Sequence, residues 1–159
     1  RHRPARRMGA VDALLTRVAG QRVYIDANFF IYFLSRAQPY FDAVVPVFQA
    51  CDVGQFAGIT GDAAVAEVMV HPYRSKNPSE IARVKSLFSR AGFVSVIAHD
   101  AADFDLAAQC RAESRMRMMD ALHYATALRA GCRFLLTNDH DFKAVGGLEV
   151  ISIDSLLGR

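Results

Sequence analysis

The stretch Val23-Tyr24-Ile25-Asp26 decides the fold, because it is a short apolar run that ends directly in an acid. Further apolar runs occur at 56–60, 93–97, 132–137 and 150–153. They are continuously apolar rather than alternating, which is typical of strands buried on both faces. Segments with helical spacing separate them. This alternation predicts an α/β fold with three layers, α/β/α, around a mostly parallel central sheet.

Two helix boundaries follow from local chemistry. The helix after the second strand is predicted over 63–70, because Pro72 restricts the residue before it. Asp62 and Asp100 each stand just ahead of a helical segment, so both are predicted to be N-caps.

Length and composition indicate one globular domain. The chain has 159 residues, with 52% hydrophobic and 22% charged residues. We assign residues 1–9 to a basic N-terminal arm, either native or left over from cloning, and residues 10–159 to the domain. No run approaches the roughly 20 apolar residues of a membrane span, and no signal peptide is recognisable. We therefore expect a cytoplasmic protein with no membrane partner.

Charge and cysteines exclude two simple interpretations. The net charge of +3 comes from four Arg in residues 1–7, and the remainder has 15 basic against 16 acidic residues. Overall charge therefore does not identify a nucleic-acid substrate. Cys51, Cys110 and Cys132 are scattered and odd in number, which argues against disulfides or a structural zinc site and favours small buried side chains.

Acidic residues stand where a parallel sheet would gather them. Asp26 and Asp139 each follow a predicted strand, so both should emerge at the same edge of the sheet. Glu67 lies in the apolar helix that leaves the second strand, and Asp120 opens a later helix. Such carboxylates repel one another unless a cation neutralises them. Mg²⁺ and Mn²⁺ prefer oxygen ligands, and a bound metal of this kind suits phosphodiester hydrolysis.

Three segments resemble the PIN-domain family, especially the VapC-type toxins of bacterial toxin–antitoxin pairs. They are VYIDANFFIYFL, ITGDAAVAEVMVHPYR and MRMMDALHYATALRAGCRFLLTNDHDF, and GLEVISID fits the closing strand of the family. The resemblance covers residues 22 to 154. It implies a PIN-like domain with four metal-holding catalytic acids: Asp26, Glu67, Asp120 and Asp139.

The resemblance also implies polar neighbours that orient these acids. Asn28, Thr137 and Asn138 fit such positions, and Asp141 either supplements Asp139 or replaces it as the fourth acid. It further implies endonucleolytic hydrolysis of RNA that leaves a 5′-phosphate and a 3′-hydroxyl. One or two Mg²⁺ or Mn²⁺ ions would assist. The implied partners are RNA, an antitoxin protein and a second copy of the chain in a homodimer.

Residues around the acids suggest further roles. Arg115 and Arg117 are the best candidates for RNA binding, because they stand closest to Asp120 in the sequence. His123 lies one helical turn after Asp120, and we interpret it as a packing or hydrogen-bonding residue. Several aromatic residues fall in two adjacent helices and divide between the core and a groove for a partner: Phe29, Phe30, Tyr32, Phe33, Phe41 and Phe48.

Other functions remain open at this point. A phosphotransferase with a phosphorylated Asp usually has a second acid two residues later, where this chain has Asn28. A non-catalytic PIN-fold module that binds nucleic acid or protein would not need the full acid set. A housekeeping RNA-processing nuclease would keep the acids but have no antitoxin.

Overall fold

A computed structural model describes residues 9–138 and 146–158. Its strands are β1 (Arg22–Ile25), β2 (Ala57–Gly61), β3 (Val94–Ile97), β4 (Phe134–Thr137) and β5 (Glu149–Ser152). Its helices are α1 (Ala10–Val18), α2 (Ala27–Ser35), α3 (Tyr40–Asp52), α4 (Asp62–Ser75), α5 (Pro78–Ser89), α6 (Ala101–Glu113), α7 (Met118–Arg129) and α8 (Ile153–Leu156). The predicted alternation of strands and helices is confirmed.

The five strands form one sheet in the order β3-β2-β1-β4-β5, and every pairing is parallel. From β1 the chain moves outward through β2 to β3, then returns to β4 on the other side of β1 and continues to β5. The order therefore reverses between β1 and β4. In open parallel sheets, ligands bind at the carboxyl ends of the strands beside such a reversal.

Helices cover both faces of the sheet, as the continuously apolar strands require. In β1, Val23 and Ile25 pack into one core cluster together with residues of α1 to α5, whereas Tyr24 packs into a second cluster with residues of α6 and α7. In β4, Leu136 belongs to the first cluster and Leu135 to the second. Because successive strand residues point to opposite faces, the sheet separates two cores, and the predicted α/β/α layering is confirmed.

Two local predictions are wrong. Helix α4 continues past Pro72 to Ser75, because Val68, Met69 and Pro72 are all buried and packing outweighs the backbone hydrogen bond that proline cannot make. The N-cap of α4 is Gly61, which has an extended backbone, and Asp62 is the first residue of the helix.

Other expectations hold within the described residues. Asp100 caps α6, since its side chain accepts a hydrogen bond from the backbone N–H of Asp103. Cys51, Cys110 and Cys132 are free and buried. Among the helices described, none has the length and apolarity to cross a bilayer. The predicted basic arm falls mostly on residues 1–8, which lie outside the described residues.

Close packing of α3 on β2 requires a glycine at position 58. A Cβ there would lie 2.5 Å from Cys51 Sγ, whereas its distances to Ile25 and Val94 would be ordinary contacts of 3.5 and 3.6 Å. We expect Gly58→Ala to lower the free energy of unfolding by about 1–3 kcal/mol through overpacking. In thermal denaturation, Cys51→Ala combined with Gly58→Ala should be more stable than Gly58→Ala alone. Equal stability of the two variants would contradict this account.

Candidate functional site

Asp26 stands at the point where β1 ends and α2 begins. Its backbone N–H donates to Leu136 O across the sheet at 2.9 Å, which continues the pairing of β1 with β4 by one residue. Its side chain caps α2 by accepting a hydrogen bond from Ala27 N at 2.8 Å. The residue is only 5% exposed. The end of a buried strand thus carries an ionisable group into the interior.

Polar side chains from β4 and α2 surround Asp26 at the reversal of strand order. Thr137 Oγ1, at the end of β4, donates to Asp26 Oδ2 at 2.8 Å. Asn28 Oδ1 accepts from Asn138 N at 3.2 Å, and Asn138 Nδ2 donates to Tyr32 Oη at 2.9 Å. These bonds tie the β1–α2 junction to the segment that follows β4. The three polar residues predicted beside the acids therefore lie at the same edge as Asp26.

Glu67, Asp26 and His123 converge from three elements. His123 Nε2 is 3.0 Å from Glu67 Oε1 and 3.9 Å from Asp26 Oδ1. Each of the three residues offers a ligand atom, and these atoms all lie within 4.8 Å of one another. His123 is 1% exposed, whereas the Glu67 side chain is 38% exposed. Asp26 and His123 therefore form the buried part of the cluster, and Glu67 forms its solvent-exposed side.

The electrostatics of this cluster reflect two carboxylates that share a poorly hydrated space. Burial raises the pKa of Asp26 and the charge of Glu67 raises it further, although His123, Thr137 and Ala27 oppose the shift. Burial by itself would lower the pKa of His123, but the hydrogen bond to Glu67 and the charges of Asp26, Glu67 and Asp120 raise it overall. The carboxylates thus outweigh the effect of burial on the pKa of His123.

The remaining predicted site residues differ in how closely they approach this cluster. Asp120 lies in the first turn of α7, and its charge acts on His123 one turn later. Among the described residues, the group of ligand atoms within 4.8 Å does not include Asp120. Arg117 is exposed at the N-cap of α7, and Arg115 is exposed just before it. Asp139 and Asp141 lie outside the described residues.

A family model for the PIN domain matches residues 23–148, which is most of the chain. The chain belongs to the PIN domain family. No curated protein matches the sequence significantly.

Solved structures share this PIN fold at low sequence identity. A chain in the crystal structure of DNA-bound VapBC from Salmonella typhimurium is 17% identical, with a TM-score of 0.66; the match covers 84% of this chain and 98% of that one. The sarcin-ricin loop cleaving toxin VapC20 from Mycobacterium tuberculosis is 16% identical, with a TM-score of 0.64. The match covers 80% of this chain and 98% of the toxin. A chain in a toxin–antitoxin complex from Klebsiella pneumoniae is 18% identical, with a TM-score of 0.64. This match covers 82% of this chain and 97% of that one.

Sequence reasoning did not include His123 in the site, although its hydrogen-bonding role was predicted. The available signal was its position one turn after Asp120, on the same face of α7. Tyr24 was also missed, because it lies between Val23 and Ile25 in β1, where an aromatic residue indicates a buried strand rather than a site. Its Oη lies 2.6 Å from His123 Nδ1, and its pKa is raised by burial and by the charge of Asp26.

The buried charge of Asp26 predicts a cost in stability. Because the pKa of Asp26 is higher in the folded chain than in the unfolded one, its ionised form at neutral pH lowers the free energy of unfolding. Asp26→Asn removes the charge and can still accept from Ala27 N and bond to Thr137. In the presence of a chelator we expect this variant to melt about 2–4 °C higher, the shift that about 1 kcal/mol produces in a chain of this size.

The matched control is Asp52→Asn. Asp52 ends α3 ahead of β2, so it lies at the opposite edge of the sheet, where it pairs with Arg90. This control should leave the melting temperature nearly unchanged. A lower melting temperature for Asp26→Asn than for the unmodified protein would contradict the electrostatic account.

Proposed function

We propose that this PIN-domain protein is a Mg²⁺- or Mn²⁺-dependent endoribonuclease and the toxin of a toxin–antitoxin pair. The observation that carries the proposal is the convergence of Asp26 and Glu67, which are 41 positions apart in sequence, at the carboxyl edge of the sheet beside the reversal of strand order. This is where parallel sheets bind their ligands.

The donor set at this edge fits a divalent metal ion. Asp26 is buried, so its negative charge is poorly hydrated, and the Glu67 carboxylate lies close enough to add repulsion. A divalent cation would remove both penalties. In the proposal Asp26 and Glu67 hold the ion together with Asp120 and with Asp139 or Asp141. When bound, such an ion polarises a phosphoryl oxygen and lowers the pKa of a coordinated water.

The chain's own residues have separate tasks in this proposal. The hydrogen bonds from Ala27 N and Thr137 Oγ1 hold the Asp26 carboxylate in one orientation and favour its ionised form. Asn28 and Asn138 fix the backbone after β4, which leads to the predicted fourth acid. Arg115 and Arg117 are exposed beside Asp120 and are proposed to bind phosphates of the RNA.

Two of the structural relatives support RNA as substrate and an antitoxin as partner. One is a toxin that cleaves the sarcin-ricin loop, and another is a toxin–antitoxin complex. An apolar groove between α2, α4 and α5 could receive such a partner. It is lined by Ile31, Leu34, Val68, Pro72 and Val84, and Ile31 is 41% exposed.

The six aromatic residues predicted to divide between the core and a partner groove are absent from the lining of this groove. Phe29, Phe30 and Phe48 are buried, and Phe33 packs against Phe48. Aliphatic side chains and Pro72 form the apolar part of the groove, and Ser35, His71 and Glu80 also line it. A homodimer and action in the cytoplasm also belong to the proposal.

Cleavage of single-stranded RNA with added Mg²⁺ or Mn²⁺ tests the nuclease. Loss of a residue that only orients a metal ligand lowers metal affinity or activity about 10–100-fold. Loss of a ligand itself should have a larger effect, so Asp26→Asn and Glu67→Gln should each reduce the cleavage rate at least about 100-fold. Asp52→Asn, at the opposite edge, should cleave like the unmodified protein. Full activity of Asp26→Asn, or cleavage that persists in a chelator, would reject the metal-site assignment. No cleavage by the unmodified protein would favour the non-catalytic binding module.

Expression in bacterial cells separates a toxin from a housekeeping nuclease. A ribonuclease toxin without its antitoxin should arrest growth, and Asp26→Asn should relieve the arrest because the RNA is no longer cut. Sequencing of RNA ends after brief induction would identify the cleaved RNA and its motif. Normal growth despite active enzyme in vitro would favour the housekeeping function.

A further inference from the structure

The Nε2 atom of His123 lies at distances from Glu67 and Asp26 that would suit ligands of one metal ion. Two ligands of one ion, each about 2.0–2.2 Å from it, lie about 2.8–4.4 Å apart. The distances from His123 Nε2 to Glu67 Oε1 and to Asp26 Oδ1, 3.0 and 3.9 Å, fall within that range. The ring is fully buried, so Nε2 meets these two carboxylates rather than water.

The other ring nitrogen has the partner that a metal-binding histidine needs. Tyr24 Oη lies 2.6 Å from His123 Nδ1, and Tyr24 is completely buried. A histidine that binds a metal through one nitrogen donates the N–H of the other to an acceptor, which fixes the tautomer and the ring orientation. The Tyr24 hydroxyl can accept from the N–H of Nδ1. If an ion displaced the proton that Nε2 shares with Glu67, the Nε2 lone pair would be free to bind that ion beside the two carboxylates.

A second histidine restrains the ring from the side. The His99 ring meets that of His123 edge-on, with centroids 5.7 Å apart. Ala63 N donates to His99 Nε2 at 3.2 Å, so Nδ1 carries the proton and donates to Thr126 Oγ1 at 2.7 Å. His99 is thereby satisfied on both nitrogens and does not compete for the carboxylates.

The glycine at position 61 permits this approach of rings. A Cβ there would lie 2.3 Å from the His99 ring and 2.6 Å from Tyr24 Oη. The residue that caps α4 therefore has no side chain, and the two rings and the tyrosine pack against the backbone. The orientation of His123 is built into the packing.

We propose that His123 Nε2 is a nitrogen ligand of the metal centre, and that it makes this centre favour Mn²⁺ over Mg²⁺. The inference rests on the proposed function, because it concerns the same metal site. Mg²⁺ prefers oxygen ligands and gives up its water reluctantly, whereas imidazole suits first-row transition ions.

The competing explanation is that His123 is only a positive counter-charge for Asp26 and Glu67. The two explanations differ in what a bound ion would sense. A ligand nitrogen couples magnetically to bound Mn²⁺, whereas a displaced counter-charge does not. Removal of a counter-charge would also strengthen binding of any divalent cation, but removal of a ligand would weaken Mn²⁺ binding selectively.

Electron spin-echo spectroscopy of Mn²⁺ bound to protein with ¹⁵N-labelled histidine tests the ligand directly. We expect a coupling from one directly bound imidazole nitrogen in the unmodified protein. The coupling should vanish in His123→Asn. It should persist in the control variant His71→Asn, which replaces an exposed histidine of α4. Isothermal titration should show that His123→Asn weakens Mn²⁺ binding about 10-fold or more and Mg²⁺ binding much less.

A second variant keeps the core intact if His123→Asn does not fold. Tyr24→Phe preserves the ring packing and removes only the hydroxyl that orients Nδ1. We expect it to keep the nitrogen coupling and to weaken Mn²⁺ binding about 10-fold, the usual effect of losing a partner that orients a ligand.

The outcomes separate this inference from the proposed function. If Mn²⁺ binds to the unmodified protein and is lost in Asp26→Asn, but no nitrogen coupling appears, the centre stands and His123 is not a ligand. An unchanged ratio of Mn²⁺ to Mg²⁺ affinity in His123→Asn would likewise overturn the inference alone. If the unmodified protein binds neither ion, both the inference and the metal-dependent nuclease are rejected.

Discussion

Burial of the Asp26 carboxylate is the constraint on which the rest of the site depends. The strand that carries it is buried on both faces, so the acid that ends the strand cannot reach bulk water. An ionised group in such a place needs compensation. The backbone of α2, the hydroxyl of Thr137 and the imidazole of His123 provide part of it. Because they come from α2, β4 and α7, compensation of one charge links elements that are far apart in sequence.

The parallel sheet makes this gathering possible. All strands run in the same direction, so the segments that follow β1 and β4 leave at one edge. Helix α4 returns from β2 across one face with Glu67, and α7 crosses the other face with Asp120 and His123. Side chains from both layers therefore meet above the carboxyl ends of the strands. The cluster of two acids and an imidazole therefore exists because the order and direction of the strands bring its residues together.

Three features of the structure could not be read from the sequence pattern. Pro72 reads as a helix end, but burial of neighbouring apolar residues outweighs the lost hydrogen bond. The short helix α8 has only four residues, too few for a periodic pattern. The sequence divides the aromatic residues of α2 and α3 between the core and a groove, but it does not say which residues go where, and Phe29, Phe30 and Phe48 are the buried ones. Packing therefore decided the end of α4 and the placement of the aromatic residues, and a local sequence pattern carries no information about such packing.

The sequence by itself determined the strand and helix alternation, the parallel layering and the position of Asp26 directly after a buried strand. These features follow from period, apolarity and residue type, which are local properties. Only the tertiary structure decided that ligand atoms of Asp26, Glu67 and His123 come within 4.8 Å of one another, and that Tyr24 contacts the far side of the His123 ring. Distances between side chains of different elements depend on how helices rotate and pack on the sheet. That rotation is fixed by the whole core rather than by any one segment.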